Sequence, residues 1–135
     1  MSDVDNIDFE AFDKINLNDE PILRKNTWDI FSKNGVAIQC DYDKLTKGRT
    51  SLPIPDTVDV INPEQIFIEE GATLNFVTIN ASKGPVYIGK DSEIMEGSII
   101  RGPLALCEGA ILKLGTKIYG PTTVGPYSKI GGEVN

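Results

Sequence analysis

The sequence predicts a mainly β fold: a parallel β-helix of hexapeptide repeats, three hexads to a coil, preceded by one amphipathic helix and an extended linker. Three observations carry this expectation. Aliphatic residues stand at every sixth position, namely Ile88, Ile94, Ile100, Leu106, Leu112, Ile118, Val124 and Ile130, a period that belongs to neither an α-helix nor an ordinary strand. Four residues after each of these come Ser92, Ser98, Leu104, Ala110, Thr116, Thr122, Ser128 and Val134, which are mostly small. Each hexad thus offers two inward positions, the signature of a hexapeptide β-helix. Gly84-Pro85, Gly102-Pro103 and Gly120-Pro121 recur at intervals of three hexads, which marks a triangular coil. The pair suits a sharp corner, because glycine allows positive φ and proline presets its own.

Taken in chain order, residues 1–20 form an acidic leader. Seven acidic groups less Lys14 give −6 of the whole-chain −7. Such a segment is expected to be solvated or loosely ordered, although Ile7, Phe9, Phe12, Ile15 and Leu17 could dock part of it. Residues 21–63 read as a connecting helix and linker. Trp28, Phe31, Ile38, Tyr42 and Leu45 follow helical spacing, with Gly35 in the same stripe. Thr27 as N-cap and Asp29 in the first turn complete one helix over about 27–46. Glycine inside a helix costs about 1 kcal/mol relative to alanine, so Gly35 points to a break or a close packing contact. Lys47-Gly48-Arg49-Thr50-Ser51 ends the helix, and Pro53, Pro55 and Pro63 keep the next stretch extended.

Residues 64–135 are expected to form the β-helix. Parallel stacking places Ile88, Leu106 and Val124 in one column, Ile94, Leu112 and Ile130 in a second, and Ile100 and Ile118 in a third. The repeat begins raggedly. Ile68 with Ala72 and Leu74 with Thr78 fit the template, but the step from Leu74 to Ile88 exceeds two hexads by two positions. A two-residue insertion, a bulged corner or short loop, is therefore expected near residues 79–82. The sequence stops at Asn135 as a hexad closes. An uncapped coil is an open sheet edge, so the β-helix is expected to be incomplete at this end, as in a fragment or a chain covered by a partner.

The absence of histidine narrows the chemistry. A β-helix carbonic anhydrase needs a histidine-rich metal site, and hexapeptide acyltransferases commonly use histidine as general base, so neither site is complete here. Cys40 and Cys107 are too few and too distant in sequence for a zinc motif, and reduced cytosolic thiols are the expectation. No phosphate-binding glycine loop is present. A net charge of −7 without a basic stripe argues against nucleic acid. No apolar run approaches the ~20 residues that span a bilayer, and a cytoplasmic protein is expected.

Two basic clusters are candidate binding features. Lys83 and Arg101 lie one three-hexad period apart beside the Gly-Pro corner, followed by Tyr119. This edge could meet an anionic ligand or a neighbouring subunit, or be a solvated ladder of long side chains. Lys47 and Arg49 could meet a phosphate, but their position favours complementing the helix C-terminus and interdomain packing. No catalytic, cofactor-binding or metal-ligating residue is assigned.

The runs WDIFSKNG, TKGRTSLPIPDT, FIEEGA, GPVYIGKDSEIMEGSIIRGP, LALCEGA and KIYGPTTVGPYSKIGGEVN resemble the middle of bacterial bifunctional sugar-1-phosphate nucleotidylyltransferase/acetyltransferase-like proteins. These are of the UDP-N-acetylglucosamine diphosphorylase/glucosamine-1-phosphate N-acetyltransferase type, as in the Bacteroides group. The resemblance covers roughly residues 21–135. It implies a left-handed β-helix that trimerises, an upstream nucleotidyltransferase domain, and acetyl-CoA and a divalent metal for the full-length family. The family's nucleotide loop and its histidine-bearing later coils have no counterpart here, so no catalytic residue carries over. The expectation is a connector and trimerising scaffold segment of a sugar-nucleotide transferase, without activity alone. Two alternatives stay open: a stand-alone β-helix that polymerises through its uncapped coil, and a small module that binds a sugar phosphate or nucleotide.

Overall fold

The computed structural model describes residues 22–131; the expectations for the acidic leader and for Val134 fall outside them. Two helices, α1 (Asp29–Ser32) and α2 (Asn34–Thr46), precede twelve short strands. These are β1 (Asp59–Ile61), β2 (Ile66–Ile68), β3 (Thr73–Leu74), β4 (Thr78–Asn80), β5 (Val86–Ile88) and β6 (Glu93–Ile94), then β7 (Ile99–Arg101), β8 (Leu104–Leu106), β9 (Ile111–Leu112), β10 (Lys117–Tyr119), β11 (Thr122–Val124) and β12 (Lys129–Ile130).

Every third strand pairs in parallel, giving three four-stranded sheets: a first face β1-β4-β7-β10, a second β2-β5-β8-β11 and a third β3-β6-β9-β12. The described residues form a parallel β-helix of four coils. The three predicted columns are present and each extends upstream. They are Val60-Ile79-Ile100-Ile118, Ile68-Ile88-Leu106-Val124 and Leu74-Ile94-Leu112-Ile130. Their middle members are buried, whereas Ile130 in the last coil is exposed. The small second inward position is also explained. Ser92, Ser98 and Thr116 are buried, and each hydroxyl donates to the carbonyl three residues back, of Gly89, Met95 and Lys113, at 2.6, 2.8 and 2.6 Å. The corner thereby satisfies its own buried polar groups.

One corner shows why glycine recurs. Residues 71, 91, 109 and 127 stack with positive φ, and they alternate Gly71, Asp91, Gly109, Tyr127. A Cβ on Gly109 would lie 2.5 Å from the Tyr127 ring, and one on Gly71 would overlap the Asp91 carboxylate. Each side chain in this left-handed column therefore needs a glycine one coil below it.

The ragged start resolves differently from a single two-residue insertion. Leu74 to Thr78 is four steps where the next coil takes five, from Ile94 to Ile99; Asn80 to Val86 is six where Arg101 to Leu104 is three. One residue is deleted and three are added, which leaves the same net of two. As a result Val77, not Thr78, takes the buried second position, and Thr78 faces out.

The first coil also begins inside the stretch expected to be linker, because β1 pairs with β4. Pro63 opens a 3-10 turn, Pro63–Gln65, rather than extended chain. The remaining linker closes the base of the solenoid. Leu52 N–H donates to Ile68 O, Ile68 N–H donates to Ser51 Oγ, and Ile54 packs against the core.

The single helix expected over 27–46 is broken at Lys33, two residues before Gly35. Thr27 does not cap it. Instead Asp29 accepts the N–H groups of Lys25 and Asn26 at 2.7 and 3.0 Å, which fixes the turn that precedes α1. Trp28 and Phe31 do not share the buried stripe; both are exposed. Only Ile38 and Tyr42 of that stripe are buried, because the break swings α1 away from the solenoid while α2 lies along it.

Candidate functional site

Helix α2 covers the second face. The outward residues of that face are Phe67, Tyr87, Ala105 and Thr123, one per coil. Asn34, Ala37, Ile38, Asp41, Tyr42 and Leu45 form the helix side above them, at a spacing that keeps one stripe turned inward. A helix of 13 residues is about 20 Å long at 1.5 Å per residue, and three steps between four coils take about 14 Å at ~4.8 Å each. The helix is thus long enough to bridge the four described coils.

Both of its ends are fixed. At the last coil, Thr123 Oγ1 donates to Asn34 Oδ1 at 2.8 Å, and Gly35 lies against Pro121 so closely that an added Cβ would be 3.1 Å from the proline Cγ. The close contact expected at Gly35 is therefore present, and the break lies beside it. At the first coil, Arg49 Nη1 donates to Leu45 O at 3.1 Å, so the guanidinium complements the helix C-terminus. Its two ends also bond both carboxylate oxygens of Glu69, at 2.8 and 2.6 Å, and it stands over the Phe67 ring at 5.2 Å. Tyr87 donates to Glu69 at 2.6 Å and stacks on Phe67, with ring centroids 6.0 Å apart.

The electrostatics follow from these contacts. The Arg49 hydrogen bonds hold the Glu69 carboxyl below the usual carboxylate range, and Glu69 in turn raises Arg49. Burial, then the bond to Glu69, pushes the Tyr87 hydroxyl up to about 12. Arg49 complements the helix C-terminus as expected, but its partners Glu69, Tyr87 and Phe67 were missed. The available signal was the aromatic pair at outward positions of successive coils, which implies a covered face.

The Lys83, Arg101 and Tyr119 edge does not assemble as the three-hexad count implies. Arg101 and Tyr119 are stacked neighbours, but the residue below Arg101 is Asn80. The three extra residues before β5 carry Lys83 off that column. Arg101 and Tyr119 instead line a groove of about 410 Å³ on the first face, which no helix among the described residues covers, with Ile61, Asn80, Ile99 and Lys117. Lys83 lines another groove, of about 420 Å³, between α2 and the Gly-Pro edge, with Cys40, Pro85, Pro103 and Pro121.

Cys40 is exposed and Cys107 is half-buried beneath α2, where burial pushes its thiol up. Among the described residues, no three His, Cys, Asp or Glu side chains gather as a metal site. No helix there is long and apolar enough to cross a membrane.

These features define a class of architecture: a four-coil parallel β-helix, closed at its base by a linker and strapped along one face by a helix. No family model, curated protein or solved structure matches the chain.

Proposed function

We propose that this chain is the connector and scaffold segment of a cytoplasmic sugar-nucleotide transferase of the nucleotidyltransferase/acetyltransferase type. The observation that supports this reading most is the strap. Helix α2 is tied to the last coil through Asn34 and Gly35 and to the first through Arg49, so it hands the upstream chain to the solenoid in one fixed orientation. A rigid hand-over is what a two-domain enzyme needs to hold its parts apart, and the resemblance of the linker sequence points the same way. In this reading the solenoid trimerises through its first face, where Ile61, Ile99 and Tyr119 are exposed beside Arg101 and Lys117.

Size-exclusion chromatography with light scattering tests the scaffold role. A trimer is expected for the chain and a loss of trimer for Ile99→Asp; a strict monomer would remove that role. Uridylyl- and acetyl-transfer assays on this chain should be blank, and clear turnover of either kind would overturn the assignment of activity to other parts of the protein.

A second reading has its own observation. Among the described residues, β10, β11 and β12 each pair on one side only, and Ile130 is exposed. An open coil can pair with another chain, so the alternative is end-to-end polymerisation. Filaments in electron micrographs of concentrated protein would favour it over the trimer.

A further inference from the structure

The groove on the first face is lined by two cations and no acid. Arg101 and Lys117 stand there beside Ile61, Ile99 and Tyr119, and neither has a hydrogen-bond or ion partner among the described residues. Set against the same groove of a second copy they would meet their own like charges, which disfavours that pairing. The groove therefore calls for a different surface of the next copy, a heterologous contact.

Symmetry narrows the choice of surface. In a three-fold ring each copy sees its two neighbours about 60° apart, and in a triangular prism a face and either flanking corner also point about 60° apart. Two corners flank the first face. The Gly-Pro corner is taken by α2, since Gly35 lies against Pro121. The other corner, which joins the third face to the first, carries Phe76, Glu96 and Leu114, one per coil. They stack, because Gly97 N–H donates to Phe76 O at 2.9 Å and Gly115 N–H donates to Glu96 O at 3.0 Å. Phe76 and Leu114 are 67% and 56% exposed, and Glu96 between them is exposed too. Lys113 lies one column back, above Met95 on the third-face side.

Phe76 is itself unusual. It has a φ of 52°, where the next two coils turn the same corner with Gly97 and Gly115 at 74° and 67°. A bulky side chain rarely adopts left-handed backbone, and such residues concentrate at functional positions.

The levels also agree. A closed ring has no rise along its axis, so with the solenoid axes parallel to the three-fold each coil meets the same coil of its neighbour. Glu96 precedes β7, which ends at Arg101, and Leu114 precedes β10, which ends at Tyr119. The acid thus lies at the level of one cation and the leucine at the level of the exposed ring.

We propose that the ridge of Phe76, Glu96 and Leu114 on each copy seats in the first-face groove of the next, with Glu96 pairing to Arg101 and Leu114 packing on Tyr119. This contact rests on the trimer reading above and supplies the partner surface that the groove needs.

Complementation between two broken copies tests it, read by size-exclusion chromatography with light scattering on the full chain. Ile99→Asp spoils the groove and Leu114→Asp spoils the ridge, both at exposed side chains, so each variant should be monomeric with an unchanged circular dichroism spectrum. Mixed in equal amounts at high concentration, they should form a one-to-one pair, because the intact groove of one takes the intact ridge of the other. Arg101→Glu should raise the concentration at which the trimer dissociates by about tenfold or more, and Glu96→Arg added to it should restore assembly. A parent chain that is monomeric removes the trimer reading and this contact with it. A trimeric parent whose Leu114→Asp variant is still trimeric overturns the ridge alone and leaves the trimer standing. A mixture that stays monomeric, or a charge swap that restores nothing, likewise overturns the ridge-in-groove contact.

Discussion

The contact between Gly35 and the Gly-Pro edge can be tested by a double-mutant cycle with Pro121. An alanine at residue 35 places its Cβ 3.1 Å from Pro121 Cγ, 3.5 Å from Pro121 Cβ and 3.9 Å from Pro103 Cγ. Gly35 is helical and its φ is not positive, so alanine is unstrained and gains about 1 kcal/mol of helix propensity. Against that gain, the prolyl ring must yield by a few tenths of an ångström. The two effects nearly cancel, and Gly35→Ala should stay within about 1 kcal/mol of the parent.

Gly35→Leu separates them. Its propensity gain is no larger, but its branched end must enter space held by both Pro121 and Pro103, and such overpacking costs about 1–3 kcal/mol. Pro121→Ala removes the ring carbons that the leucine meets. In the double variant the two losses should therefore fall short of their sum, with a coupling of about 0.5–3 kcal/mol. Urea unfolding followed by circular dichroism measures all four corners of the cycle. If Gly35→Leu is as stable as Gly35→Ala, or if its effect adds simply to that of Pro121→Ala, helix α2 does not rest on this edge and the strap is wrongly placed.

The Arg49, Glu69 and Tyr87 cluster predicts a stability plateau with two limbs. Glu69 is lowered from 4.5 in the folded state, so its contribution is present above that value and is lost as pH falls through the lowered one. Tyr87 is raised from 10.0 to about 12, so its contribution is complete below 10.0 and is lost as pH rises toward 12. Thermal melts of Tyr87→Phe should keep the acid limb and flatten the alkaline one; an unchanged alkaline limb would count against the Tyr87 assignment. Ile100→Asp should abolish the folded circular dichroism spectrum, since it buries an unpaired carboxylate between Ile79 and Ile118 in a side chain that is 0% exposed. Lys90→Ala, on an exposed corner, should stay within about 0.5 kcal/mol. With a thiol reagent at neutral pH, Cys40 should react first and Cys107 should lag until denaturant is added, because burial under α2 both shields and raises the second thiol. Equal rates would mean that the strap does not cover it.

The columns were legible because parallel stacking gives equivalent residues of successive coils the same surroundings. Ile88, Leu106 and Val124 announce one another once in every three hexads, and the strands align them directly. Where the count fails, only pairing reveals it. A deletion of one residue after Leu74 and an addition of three after Asn80 sum to the net of two that spacing detects, and spacing cannot divide the sum. That ambiguity moved Lys83 off the Arg101 column and Thr78 out of the core. The helix failed for a different reason. Trp28 and Phe31 obey a helical period as well as Ile38 does, but a period shows which residues share a stripe and not which stretch of it is docked. The face of α2 that lies on the sheet includes Asn34 and Asp41, which hydrophobic patterning passes over.

In a bare solenoid each coil touches only its neighbours, and an end coil can separate without disturbing the far one. Helix α2 changes that connectivity. A displacement of the last coil pulls on Thr123 and Pro121, these hold Asn34 and Gly35, and the helix transmits the load to Arg49 and hence to Glu69 in the first coil. The first coil is in turn closed by Ser51, Leu52 and Ile54, which continue the same chain beyond the helix. The segment that introduces the β-helix therefore also joins its first and fourth coils, so the strap and linker carry coupling that a six-residue repeat alone does not supply.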